Sequence, residues 1–127
     1  MAENHELGRY GEELTARFLT KYGFEILDRN YRIRGGEIDI IARRYDVIVF
    51  TEVKTRHFSH EYQYGTALES IDKWKRRHII KTAERWIYTH SRYSNDFTYR
   101  FDVSVITVYP DGKCKLSYLK SAFTKGD

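Results

Sequence analysis

The chain has 127 residues, 41% hydrophobic and 31% charged, with a formal net charge of +4 and a single cysteine, Cys114. That is mass for one domain (1–127) with one core, of ordinary soluble composition, and one cysteine excludes an internal disulfide. No apolar run approaches the roughly 20 residues that span a bilayer, and the opening MAENHELGRYGEE does not read as a secretory signal, so a cytoplasmic protein without a membrane partner is expected.

A first helix is expected from about Asn4 to Tyr22, stopped by Gly23 where a left-handed cap belongs. Leu7, Tyr10, Leu14, Phe18 and Tyr22 recur at helical spacing and are expected to face the core. Gly8, Glu12, Ala16 and Leu19 form a second stripe almost opposite, which sets the Glu12 carboxylate among small and apolar neighbours. Three extended runs follow, FEILDRNYRI, GEIDIIA and VIVFTEVK, broken at Arg34-Gly35-Gly36 and near Arg44-Tyr45-Asp46. Their β-branched content and tight breaks predict antiparallel neighbours. The polar and aromatic stretch from Thr55 to about Ser70 reads as a mobile loop. A second helix is expected from Asp72, its N-cap, to His90, with Ile79, Ile80, Ala83 and Ile87 turned inward. Strands at Tyr99 to Tyr109 and Lys113 to Leu119 are joined by the turn Pro110-Asp111-Gly112, leaving a tail from about residue 120. The order α-β-β-β-α-β-β predicts an α/β domain, one mixed sheet with flanking helices.

The third run is apolar enough for a buried strand yet ends in Glu52 and Lys54. Residues two apart on a strand share a face, so this carboxylate and this ammonium are expected to project together. Asp39 lies on the preceding run, and a hairpin brings it beside Glu52. Charges buried there need partners, a cation, or both. Two carboxylates and a lysine suit phosphodiester hydrolysis. Asp39 and Glu52 offer hard oxygen ligands to Mg²⁺, with Mn²⁺ able to substitute, and the Val53 carbonyl between them is a further candidate ligand. Lys54 is expected to orient the attacking water or neutralise transition-state charge, and Glu12 to add an outer contact. The segment from Lys73 to Arg85 is strongly basic, with Glu84 its only acid. Together with Arg56, its Lys73, Arg76 and Arg77 are candidates for phosphate contacts, and nucleic acid, DNA above all, is the expected partner.

Gly36-Glu37-Ile38-Asp39 followed by Phe50-Thr51-Glu52-Val53-Lys54 resembles the split D…ExK signature of the PD-(D/E)XK, or restriction-endonuclease-like, nucleases. The resemblance narrows to the YraN-like family of predicted bacterial endonucleases, similar in fold to archaeal Holliday-junction resolvases. Gly8, Gly11-Glu12 and Ala16 match that family's first helix, Asn30-Tyr31-Arg32 the segment before the hairpin, and Lys54 with Arg56 the end of the ExK strand. Gly65, Lys73, Arg76-Arg77 and Arg100-Phe101-Asp102-Val103 match further on, so the similarity runs from Gly8 to about Val105. It implies a restriction-endonuclease-like fold and a metal-dependent endonuclease, adds Arg32 to the phosphate contacts, and by analogy points to branched DNA and a homodimer. The chain has Ile38 where the superfamily often carries Pro, though many members lack it, and Ile71-Asp72 and Lys73-Trp74 where relatives often carry a Thr-Pro helix start and a Gln after the Lys.

Each feature has a plainer alternative. Asp39, Glu52 and Lys54 can form a structural ion-pair cluster, and Glu12 can be a surface carboxylate favoured by a helix dipole. Glu37 reads as a strand-end charge, His57, His60 and His78 as surface or loop histidines, and Cys114 as a small packing residue. Trp74 and Tyr62 are candidates for base stacking, with packing the commoner use of such aromatics. Asp102 is expected to tie down an arginine. The rival function is a non-catalytic nucleic-acid-binding module; a more distant one is a protein adaptor working through the Tyr-rich segment from Phe58 to Tyr64.

Overall fold

The computed structural model describes residues 2–58 and 71–126. In chain order it holds α1 (Ala2–Lys21), β1 (Glu25–Ile33), β2 (Gly36–Arg44), β3 (Val47–His57), α2 (Lys73–Thr89), a short 3₁₀ turn, β4 (Thr98–Val108) and β5 (Cys114–Phe123). The five strands form one sheet in the order β1-β2-β3-β4-β5. The β1–β2, β2–β3 and β4–β5 pairs are antiparallel and β3–β4 is parallel, so the sheet is mixed, as the element order requires. A parallel pair needs a long crossover, and α2 lies within it. Among the described residues no helix is long and apolar enough to cross a membrane.

Alternation along the central strands sends side chains to two cores. Ile41, Ile48 and Phe50 pack with Ile79, Ile80, Ala83 and Trp86 of α2. Ile40, Ala42 and Val49 pack with Ala16 and Leu19 of α1. A helix therefore covers each face, and residues of β2 and β3 are shared between the layers.

The helix ends follow local chemistry. Gly23 takes φ +89°, the left-handed conformation that glycine adopts without Cβ strain, and the Phe24 N–H returns to the Leu19 carbonyl at 2.9 Å. Asp72 caps α2, its Oδ1 accepting the Lys75 N–H at 2.8 Å. The inward face of α2 is as expected, with Thr82 and Trp86 added and Ile87 only half-buried.

Three expectations need correction. In α1 the buried face is Gly11, Thr15, Ala16 and Leu19, whereas Tyr10 and Tyr22 are exposed. Small residues win because the helix lies close on β3: a Cβ on Gly11 would stand 1.9 Å from Thr55 Oγ1. The loop expected from Thr55 begins later, since β3 runs on to His57, matched to Val108 across the parallel ladder. Residues 59–70, with His60, Tyr62 and Gly65, lie outside the described residues. Finally, the tail expected from residue 120 is strand as far as Phe123, which is buried and stacks on Phe101 with ring centroids 5.2 Å apart. Its backbone pairs with β4, a partner distant from any local pattern.

Asp102 is fully buried at the centre of a polar network. Arg100 grips it with two nitrogens, Nε at 2.9 Å and NH2 at 2.9 Å. The Tyr118 hydroxyl donates to it at 2.6 Å and the Ser121 N–H at 2.9 Å. Tyr118 lies 2.9 Å from the Thr51 hydroxyl, so the network binds β3, β4 and β5 together. The expected tie between Asp102 and an arginine is present.

Candidate active site

The register places Asp39 opposite Glu52, one step beyond the last pair of the β2–β3 ladder, Ile40 with Thr51. There the strands part. The Val53 N–H donates not to a main-chain carbonyl but to the Asp39 carboxylate, at 2.7 Å. The opening is a cavity of about 310 Å³ whose wall includes Glu37, Asp39, Glu52, Trp74, Lys75 and His78. Beneath the helix, Gly36 lets α2 approach β2: a Cβ there would lie 1.9 Å from Thr82 Oγ1 and 3.1 Å from the His78 carbonyl oxygen. Thr82 cannot easily give, being buried and bonded to that same carbonyl at 2.6 Å. Gly36→Ala should therefore lift α2 and cost about 1–3 kcal/mol of overpacking, read as a lower urea midpoint with unchanged slope. An unchanged midpoint would show that the helix has room to move.

Burial dominates the electrostatics. It pushes the Asp39 carboxyl up to about 7; the Glu52 charge adds to the rise and the Val53 N–H opposes it. Burial also raises Glu52, against the pull of Lys75. Lys75 is the counter-charge, with Nζ 2.8 Å from Glu52 Oε1. Burial disfavours its ammonium, but the bond to Glu52 more than offsets this and its pKa ends up raised. Glu12 is half-buried on α1 and raised, first by burial and then by the charge of Asp39, so it lies within electrical reach of the pair.

Of the other expected residues, Glu12, Arg32, Lys54, Arg56, Lys73, Arg76 and Arg77 do not line the cavity. Lys54, two residues beyond Glu52, is exposed. Val53 is half-buried and holds Asp39 through its N–H. Lys73 and Arg77 are exposed on α2, and Arg56 is half-buried on β3. Arg76 is engaged structurally, its Nε donating to the Ile71 carbonyl at 2.9 Å and its guanidinium lying 6.0 Å from the Phe123 ring centre. Arg32 pairs with Glu37 at 3.1 Å. His57 is exposed and His78 lines the cavity. Cys114 is half-buried, its Sγ 3.6 Å from the Tyr10 hydroxyl.

Lys75 is the residue the motif did not single out. A signal was available: the first turn of α2 contains no acid and begins Lys73-Trp74-Lys75, against the preference of a helix N-terminus for negative charge. A cation in that position implies an anion across from it.

The donor set fits a hard divalent cation. Glu52 is buried and Asp39 half-buried; the two carboxylates repel one another, with the Val53 N–H on Asp39 and the Lys75 ammonium on Glu52 to offset this. Among the described residues no three acidic, His or Cys side chains gather to hold a metal. Asp39 and Glu52 would offer a cation two oxygen donors, with main chain, water and phosphate left to complete the set, as Mg²⁺ commonly accepts.

Fold and pocket define a small mixed α/β domain with a carboxylate pair where its central strands part. The chain belongs to UPF0102, an uncharacterised protein family whose profile matches residues 11–106, the YraN-like family that the motifs resemble. It is similar to UPF0102 proteins of Caldicellulosiruptor bescii, 44% identical over 121 residues, 93% of this chain and 97% of that one. A second, from Rhodococcus opacus, is 42% identical over 123 residues, 97% of this chain and all of its own.

Proposed function

We propose that the chain is a metal-dependent nuclease of the PD-(D/E)XK type acting on DNA. The observation that carries this reading is the convergence of a half-buried Asp39 and a buried Glu52 on a solvent-open cavity, at the end of a ladder that their own strands break. A domain that only binds nucleic acid gains nothing from holding two carboxylates in this costly proximity.

Asp39 and Glu52 are the residues to hold Mg²⁺, with the Val53 carbonyl beside them. The cation supplies Lewis-acid polarisation of the phosphoryl group. The Val53 N–H fixes Asp39 in position, and Lys75 holds Glu52 extended into the cavity until a substrate or cation competes for it. Lys54, exposed two residues beyond Glu52, would meet a phosphate arriving along the end of β3. Arg56, Lys73 and Arg77 supply positive charge for the DNA backbone. Glu12 tunes Asp39 from the α1 side. Action on branched DNA through a homodimer belongs to the same reading, by likeness to the resolvases.

The test is cleavage of single-stranded, duplex, flap and four-way-junction DNA with Mg²⁺ or Mn²⁺. Glu52→Gln should lose activity by roughly 10²–10³-fold and Lys54→Ala by a similar factor, with salt-sensitive binding kept. Metal-independent cutting, or cutting that survives in Glu52→Gln, would remove the assignment. Binding without cutting in any protein would favour the non-catalytic module.

A further inference from the structure

Trp74 occupies a costly position. It is the second residue of α2 and 67% exposed, whereas the chain's other tryptophan, Trp86, is 1% exposed in the core. Packing therefore does not account for Trp74. Nor is its ring loose: His78, one turn on, lies against it with centroids 3.9 Å apart and planes inclined by 36°. His78 is itself pinned, its Nδ1 lying 2.7 Å from the Trp74 carbonyl. A carbonyl only accepts, so Nδ1 carries the proton and donates. The indole is backed by the imidazole yet mostly exposed, on the wall of the cavity that contains Asp39, Glu52 and Lys75.

Its neighbours Lys73 and Arg77 are exposed cations. An aromatic plate between cations is what single-stranded nucleic-acid sites use, the plate for a base and the cations for the backbone. Bases inside a duplex already stack on each other, so only an unpaired or extruded base offers a face to such a plate.

We propose that Trp74 is a stacking platform for an unpaired DNA base adjoining the phosphate engaged at Asp39 and Glu52. The substrate class is then DNA carrying an unpaired nucleotide at the cut, not continuous duplex. This rests on the nuclease reading and narrows it.

Because Trp86 is buried, quenching of tryptophan emission reports on Trp74. The full chain is titrated, with Ca²⁺ in place of Mg²⁺, with oligothymidylate and with a blunt duplex of equal length. Oligothymidylate should quench the emission and the duplex much less. Trp74→Ala should weaken single-strand binding by roughly 5- to 100-fold in anisotropy of labelled DNA, leave duplex binding within about twofold, and abolish the quenching. Trp74→Phe, which keeps a ring, should retain most of the affinity. Equal binding of both DNAs with no change in emission would overturn the platform and leave the nuclease reading standing. Binding of neither would take both down. Equal cutting of continuous duplex by wild type and Trp74→Ala would overturn the substrate class alone.

Discussion

Asp39→Asn should make the metal-free protein more stable at neutral pH while reducing cleavage by roughly 10²–10³-fold. The folded protein holds the Asp39 carboxyl at about 7, far above its ordinary value of 3.8. A carboxyl raised by folding favours the native state only while it stays protonated there. Its contribution is intact below about pH 4, declines as pH rises, and is gone above about pH 7, a loss on the order of 4 kcal/mol. Asn keeps an oxygen to accept the Val53 N–H and carries no charge to desolvate. Thermal unfolding should show wild type falling in Tm between pH 5 and pH 8 by on the order of 10 °C, with the variant falling much less. Saturating Mg²⁺ should restore wild type at pH 8 and do little for Asp39→Asn. Parallel pH curves for the two proteins would mean that the carboxylate is not penalised by folding.

Asp102→Ala should be among the most damaging single changes in the chain. Its removal leaves the Arg100 guanidinium, largely shielded from water, without its bidentate partner, and strands the Tyr118 hydroxyl and the Ser121 N–H. Breaking a buried pair by deleting one member costs about 3–5 kcal/mol. Tyr118 shows how strongly the site is sealed: burial first, and then the Asp102 charge, hold its hydroxyl well above the ordinary tyrosine range. Urea unfolding followed by circular dichroism gives the number, and a loss under about 1 kcal/mol would show that the network relaxes or hydrates. Because Asp102 lies in β4 and not at the cavity, any activity should fall only in proportion to the folded fraction.

Local chemistry was readable in the sequence wherever one residue type does one job. Gly23 ends α1, Asp72 begins α2, and β-branched runs with tight breaks mark β1 to β3. Glu52 and Asp39 were legible for the same reason, as charges in runs otherwise apolar. What escaped depends on contacts between segments far apart. The α1 face was misjudged because bulky Leu7, Tyr10 and Phe18 outweigh Gly11, Thr15 and Ala16 on any hydrophobicity count, whereas close approach to Thr55 rewards the small ones. The ends of β3 and β5 were placed too early because their partners lie on β4. Lys75 belonged to a basic run whose members look alike until the crossover lays one of them on Glu52.

The break in the ladder at Asp39 also bears on the order of assembly. Asp39 and Glu52 sit on adjacent strands of one hairpin, closed by a turn at Tyr45 and Asp46. Lys75 is carried on the crossover to β4, and closing that larger loop costs entropy before its contacts can repay it. The nascent hairpin therefore brings two negative charges together before their organic counter-ion arrives. Until α2 docks, water solvates both carboxylates, so docking is the step at which their desolvation falls due and at which Lys75 arrives to offset part of it.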